Sequence, residues 1–184
     1  MPTIFTHPAV PLALAAGVGG NLVSGRLLVA GMTASILPDM DVLAFRLGIP
    51  YAAEFGHRGF SHSIVCAVLV ALAVACLCRW LHSTFIRSFL FTFIAACSHG
   101  VLDACTNGGL GIAFLWPWSG ERFFAPVQFI EVSPLSASRF LSQRGVEVLW
   151  SELQWIWLPL MGMALVMFMS RRITLALVRE KGNG

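Results

Sequence analysis

The sequence predicts an all-α, polytopic membrane protein, and three observations carry that prediction. Hydrophobic residues make up 57% of the 184 residues and charged residues 11%, whereas a soluble domain usually carries about 25% charged residues. Mean hydropathy is +0.78. The apolar residues gather in long uncharged runs, and basic residues stand at the ends of two of them, at Arg79 and at Arg171–Arg172. A soluble fold of this composition would leave much apolar surface in water. The length suits one membrane-embedded domain over residues 1–184, with about three full spans and a broken or re-entrant helical region at the N-terminus. The net charge of +3 is small and the arginines are scattered, so no nucleic-acid footprint is expected. Residues 1–10 lack a basic n-region and do not read as a cleaved signal peptide.

Taken in order, Pro8 suits the first turn of a helix, where its missing N–H has no partner in any case. The run from Ala9 to Leu37 is apolar but interrupted by Gly17, Gly19, Gly20 and Asn21. It reads either as one tilted span or as two short helices folded back at 19–21. Each half falls short of the about 20 apolar residues a crossing needs, so the hairpin requires protein around its turn. The hairpin is the favoured reading, because it returns His7 to the side of Asp39. Pro38 is expected to end this region. Residues 42–62, broken by Gly48, Pro50, Gly56 and Gly59, read as a short amphipathic segment and loop. Residues 63–78 form the expected second membrane helix, 88–105 the next, and 153–170 the last. Between the last two, residues 106–150 read as a long polar and aromatic connection. The five cysteines form no CxxC pair and, apart from Cys105, lie inside apolar runs, as small hydrophobic filler does.

The basic turn at 79–87 and the basic tail belong in the cytoplasm by the positive-inside rule, which puts the loops at 38–62 and 106–152 on the outer side. His57, His62, His99, Asp103, Asp39 and Asp41 then arrive at one face. His99 and Asp103 stand at i and i+4, on one side of a helix. Within His57-Arg58-Gly59-Phe60-Ser61-His62-Ser63, the two histidines are five apart around a glycine, so a loop can aim both inward. Imidazole and carboxylate suit zinc, manganese or iron. Ionisable groups near a bilayer core are costly and usually functional, which favours a metal site over a structural polar network; His82 reads as an ordinary interfacial residue. Such a set is rich enough for two metals about 3.5–4 Å apart, the arrangement that activates water and stabilises a leaving oxygen in phosphoester hydrolysis. Arg58, Arg26 and Arg122 are candidates to neutralise a phosphate, although each also fits an interfacial or loop role. The serines around His62 suit a helix cap. Asp41 and His57 are the candidates for general base or for orienting a ligand.

The succession His7, Leu37-Pro38-Asp39-Met40-Asp41, His57 to Ser63 and His99-Gly100-Val101-Leu102-Asp103-Ala104-Cys105-Thr106 resembles that of the bacterial inner-membrane-associated metal-dependent hydrolases, a group described as LexA-linked and connected with the DNA-damage response. Arg122-Phe123-Phe124-Ala125-Pro126 and Val132-Ser133-Pro134 resemble its later part, so the likeness covers roughly residues 5–135. More distantly, the order is similar to the zinc-dependent phospholipase C type of site. That likeness implies His7, Asp39, His62, His99 and Asp103 as metal ligands. No histidine follows His99, so the later HxxxE pair of that enzyme class has no counterpart and a full three-metal site is not expected. The combined expectation is a multi-pass protein of the inner (cytoplasmic) membrane that hydrolyses a phosphoester of a lipid or lipid-like substrate at the outer face. Its cofactor would be a divalent transition metal, zinc first and manganese second, and its partners membrane lipids. A metal transporter or sensor, and a non-catalytic membrane protein with a structural metal, are the rival readings.

Overall fold

The computed structural model describes residues 1–134 and 136–182. Among these the architecture is helical, with only two isolated β-bridges, Thr106 with Ile130 and Ile112 with Phe123. The helices are α1 (Ala9–Val18), α2 (Gly25–Ile36), α3 (Leu43–Arg46), α4 (Ile64–Cys76), α5 (Phe85–Ala104), α6 (Ala137–Phe140), α7 (Gln143–Glu152) and α8 (Leu158–Gly182).

The first region is a hairpin. Gly19, at φ 83°, ends α1, and the turn runs to Ser24, whose side chain accepts from Leu27 N to start α2. Pro38 does not stop the chain from winding. It enters the first turn of a 3-10 helix, Leu37–Val42, where no intrahelical donor is lost, and winding continues through α3. Gly25–Arg46 is therefore long and apolar enough to cross a membrane, as are Phe85–Ala104 and Gln143–Arg179.

Two expectations are corrected. The helix expected at 63–78 is α4, only 13 residues long. At 1.5 Å per residue it spans roughly 20 Å of an about 30 Å hydrocarbon core. Its start is fixed by Ser63, which accepts from Cys66 N, and a turn begins at Leu77. The last span starts ten residues earlier than 153, at Gln143, capped by Ser142. The connection expected over 106–150 thus contains α6 and most of α7. A π-helical turn, Leu153–Trp157, joins α7 to α8.

Helix direction alternates through the bundle. Ser24 donates to Leu81 O at one end of α2, while Ser35 O meets His99 Nδ1 at the other, so α2 and α5 run in parallel. Arg26 donates to Trp80 O (2.8 Å), and Arg171 packs beside Gly19. Arg26, His82 and Arg171 therefore share one end. The other four histidines and the three aspartates share the opposite end.

Small residues let the helices approach. Ala67, Ala71 and Ala75 form a buried stripe at four-residue spacing on α4, which packs against α5. On α2, a Cβ at Gly31 would stand 2.4 Å from the ring of Phe91 on α5. Gly31→Val is expected to destabilise the bundle by about 1–3 kcal/mol, because the ring must move out of a packed seam. Gly25→Ala, with open space around it, should stay within about 0.5 kcal/mol of wild type. Unfolding midpoints in one detergent, compared between the two variants, check this; equal midpoints refute it.

Candidate metal centre

Three elements and the N-terminal segment supply the cluster. The 3-10 helix at Leu37–Val42 sorts the two carboxylates. At three residues per turn, Asp39 and Asp41 point about 120° apart around the axis. Asp39 joins His7, His62, His99 and Asp103, whereas Asp41 turns to His57 and His62. His57 and His62 come from the loop before α4. That loop closes tightly enough that a Cβ at Gly59 would lie 2.0 Å from Glu54 O. His99 and Asp103 come from one face of α5.

The inner group is almost dry. His7, His99 and Asp103 have no exposed surface, and Asp39 and His62 are buried. His7 Nε2 lies 3.5 Å from Asp39 Oδ2 and 3.7 Å from Asp103 Oδ1. His99 Nε2 lies 3.4 Å from Asp39 Oδ1 and 3.0 Å from His62 Nε2. His62 Nε2 lies 3.6 Å from Asp103 Oδ2. The donors of Asp39, His62, His99 and Asp103 all fall within 4.8 Å of one another. Bonds of 2.0–2.2 Å to a single ion put its ligands roughly 3–3.6 Å apart, close to these separations.

The hydrogen bonding around the cluster leaves lone pairs turned inward. His99 Nδ1 donates to Ser35 O at 2.7 Å, which leaves Nε2 as an acceptor. Ser61 Oγ donates to Asp41 Oδ2 (2.6 Å) and accepts from His62 Nδ1 (2.9 Å), which does the same for His62. Both carboxylate oxygens of Asp39 and of Asp103, and both ring nitrogens of His7, are buried without a hydrogen bond. Buried polar atoms are normally satisfied, so this convergence of orphaned acceptors marks a place for a cation. Charge agrees. The carboxylates of Asp39, Asp41 and Asp103 face one buried guanidinium, that of Arg58, so negative charge is in excess. Burial, reinforced by neighbouring His99, holds the His7 imidazole well below its usual range and therefore neutral. Burial also opposes a charge on His62, yet with no cation beside it the carboxylates of Asp103 and Asp41 prevail and push it up to about 9; a metal would replace that proton at Nε2.

The second group is a dyad. His57 Nδ1 meets Asp41 Oδ1 at 2.5 Å. The other ring nitrogen of His57 has no protein hydrogen bond among the described residues. Asp41 Oδ2 also accepts from Arg58 N at 3.1 Å.

None of the three arginines is free for a phosphate. Arg58 is 1% exposed; it donates to Gly108 O, Leu110 O and Thr106 Oγ1, and its Nε faces Asp103 at 3.2 Å. Arg122 donates to the carbonyls of His57, Tyr51 and Ala53. Arg26 lies at the opposite end, with His82. The positioning role of Arg58 is invisible in sequence, since its partners are backbone carbonyls about 50 residues away. Equally unheralded is Glu152, 1% exposed, which accepts from Thr3 N, Thr3 Oγ1 and Thr6 Oγ1 beside His7. Its only signal is an acid at the head of an apolar run, three residues apart from nothing that could neutralise it in sequence.

A helical bundle with membrane-length helices and a buried His/Asp cluster at one end defines an integral membrane protein with a candidate metal-binding core. The model of the YdjM inner membrane protein family matches residues 1–176, and the chain belongs to that family. The inner membrane protein YbcI of Escherichia coli (strain K12) is 48% identical over 167 residues, 89% of this chain and 96% of the relative. No solved structure matches the chain. These findings support the membrane part of the sequence resemblance; neither name states a reaction.

Arg58→Ala would leave three acceptors and a buried carboxylate uncompensated, with an expected loss of about 3–5 kcal/mol. Arg58→Lys keeps the charge but not the fork, and should recover only part of it. Thermal unfolding of the detergent-purified variants measures both, and a wild-type midpoint for Arg58→Ala would refute the positioning role.

Proposed function

We propose that the chain is a membrane-bound, metal-dependent hydrolase acting on a phosphoester of a lipid or lipid-like substrate at the outer interface of the inner membrane. The observation that carries this is the set of buried polar atoms on His7, Asp39 and Asp103 that make no hydrogen bond, completed by inward-facing Nε2 atoms of His62 and His99. Their mixed nitrogen and oxygen chemistry fits zinc best and manganese next. A divalent ion held there supplies Lewis acidity toward a phosphoryl oxygen and acidifies a water.

The chain's own residues do the rest. Asp41 fixes the His57 tautomer through Nδ1, so the opposite ring nitrogen is basic and able to take a proton from an attacking water. Through Ser61 and its own Oδ2, Asp41 also orients His62. Arg58 holds Asp103 and the loop at 106–110 in register. A transporter is less well supported. Its ionisable residues would lie near midplane on discontinuous helices, and here they collect at one end. A purely structural metal does not account for the unpartnered nitrogen of His57.

His62→Gln, His99→Gln and Asp103→Asn should each sharply reduce bound metal, because amides cannot replace deprotonated donors. His82→Gln should not, and Asp41→Asn should keep metal but lower turnover in a lipid phosphoester screen. Elemental analysis of folded, chelator-free protein after zinc or manganese loading decides the point: a metal-free wild type ends the proposal.

The outer placement has its own test. A reporter fused after Gly109 should read outside and one at the C-terminus inside. Both on one side would contradict the orientation of the last span.

A further inference from the structure

A groove runs along the bundle between α2 and α4. α5 packs closely on both, but α2 and α4 barely touch each other. At their junction the floor is three alanines, Ala34, Ala67 and Ala96, too small to fill the gap. The result is a cavity of about 460 Å³ at the site end and one of about 520 Å³ toward Arg26, and Ala34, Leu37 and Val70 line both. The walls are apolar. Apart from the Cys66 thiol, the ionisable groups at the site end of the groove are Asp41 and His62, the side chains next to the candidate metal centre.

We infer that this groove seats the hydrocarbon chain of a membrane phospholipid whose phosphate lies at the Asp41–Ser61–His62 end. The inference rests on the metal-site reading, because three buried carboxylates would repel a phosphate without a cation beside them. Three features select the occupant. The groove lies between segments that sit among lipid, so a lipid chain reaches it sideways without entering water. From Gly25 to Leu37 its α2 wall is roughly 18 Å long, a little over half of an about 30 Å hydrocarbon core, which is the reach of a chain from one leaflet. Between its two ends the lining, Val29, Ala30, Ala34, Val70 and Val74, offers an alkyl chain dispersion contacts and no hydrogen-bonding side chain apart from Thr33.

Hydrocarbon gains little by leaving lipid tails for an apolar wall. Retention therefore comes from the headgroup at the cation, and the groove decides which lipids can bring a headgroup there. Blocking the groove should release lipid without releasing metal.

The test uses full-length, zinc-loaded protein reconstituted in vesicles of phosphatidylethanolamine and phosphatidylglycerol, then extracted in mild detergent. Native mass spectrometry reads retained phospholipid, and elemental analysis reads zinc on the same sample. Val70→Trp fills the shared stretch of the groove. Val29→Trp, at a position 63% exposed on the same groove, gives a second reading should Val70→Trp fail to fold. Leu69→Trp, 61% exposed on α4 but outside the groove, is the control. Wild type and Leu69→Trp should retain one phospholipid. Retention in the two groove variants should be about tenfold lower, the effect of an overpacked site, with zinc unchanged. Retention by both groove variants equal to wild type, or a zinc-replete wild type with no lipid, overturns the inference and leaves the metal reading intact. A wild type that holds no zinc ends both.

Discussion

Three carboxylates buried against one guanidinium set the terms for the rest of the structure. Removing an ion from water costs several kcal/mol even after relaxation. Asp39, Asp41 and Asp103 are tolerated only because the surroundings are arranged around them. Arg58 meets Asp103, and its remaining N–H groups are absorbed by Thr106, Gly108 and Leu110. Arg58 itself takes a left-handed backbone, φ 64°, to reach them. Ser35 and Ser61 fix the two imidazoles so that their acceptors face the acids. The negative excess left over is a demand for positive charge, which the rise at His62 meets with a proton where no cation sits.

Much of this was legible in the sequence where chemistry follows helical spacing. His99 and Asp103 at i and i+4 share a face of α5 as expected, and the cluster His57 to Ser63 reaches that face as a loop. The N-terminal hairpin was readable because Gly19–Asn21 interrupts an otherwise apolar run. The separate roles of Asp39 and Asp41 were harder to read. They depend on the chain tightening to a 3-10 helix at Pro38, where the sequence suggests a stop. The membrane-length helices were misassigned at α4 for a related reason. Hydropathy registers 63–78 as one apolar run, but the Ser63 cap and the turn from Leu77 shorten the helix itself. The sequence left Arg58 between a loop arginine and a phosphate ligand, because nothing local announces a buried arginine whose partners are distant carbonyls.

Alternating helix directions turn a scattered charge pattern into a polar molecule. Helices α1, α4 and α7–α8 begin at the site end and finish toward Arg26, Trp80, His82 and Arg171, so the three aspartates collect at one end although Arg58 and Arg122 lie there with them. The short helices α1 and α4 lie within that frame. A bilayer thins or fills in around helices of this length. The gap left between α2 and short α4 opens at Asp41 and His62 of the candidate centre.

The N-terminal segment shows how a distant residue is brought into such a centre. His7 precedes α1 and belongs to none of the helices that carry the other donors. Its ring stacks on His99 with centroids 3.8 Å apart, but neither of its nitrogens is hydrogen-bonded. Its anchor is one residue away. Thr6 donates to Glu152 Oε2 at 2.6 Å and accepts from Trp157 Nε1 at 3.1 Å. Glu152 and Trp157 are five residues apart, which in an α-helix would put them about 140° apart around the axis. The π-helical turn at Leu153–Trp157 widens the winding and brings both to the same threonine. The irregularity in the last long helix is thus what ties residues 3–6 down, and with them the imidazole that completes the donor set.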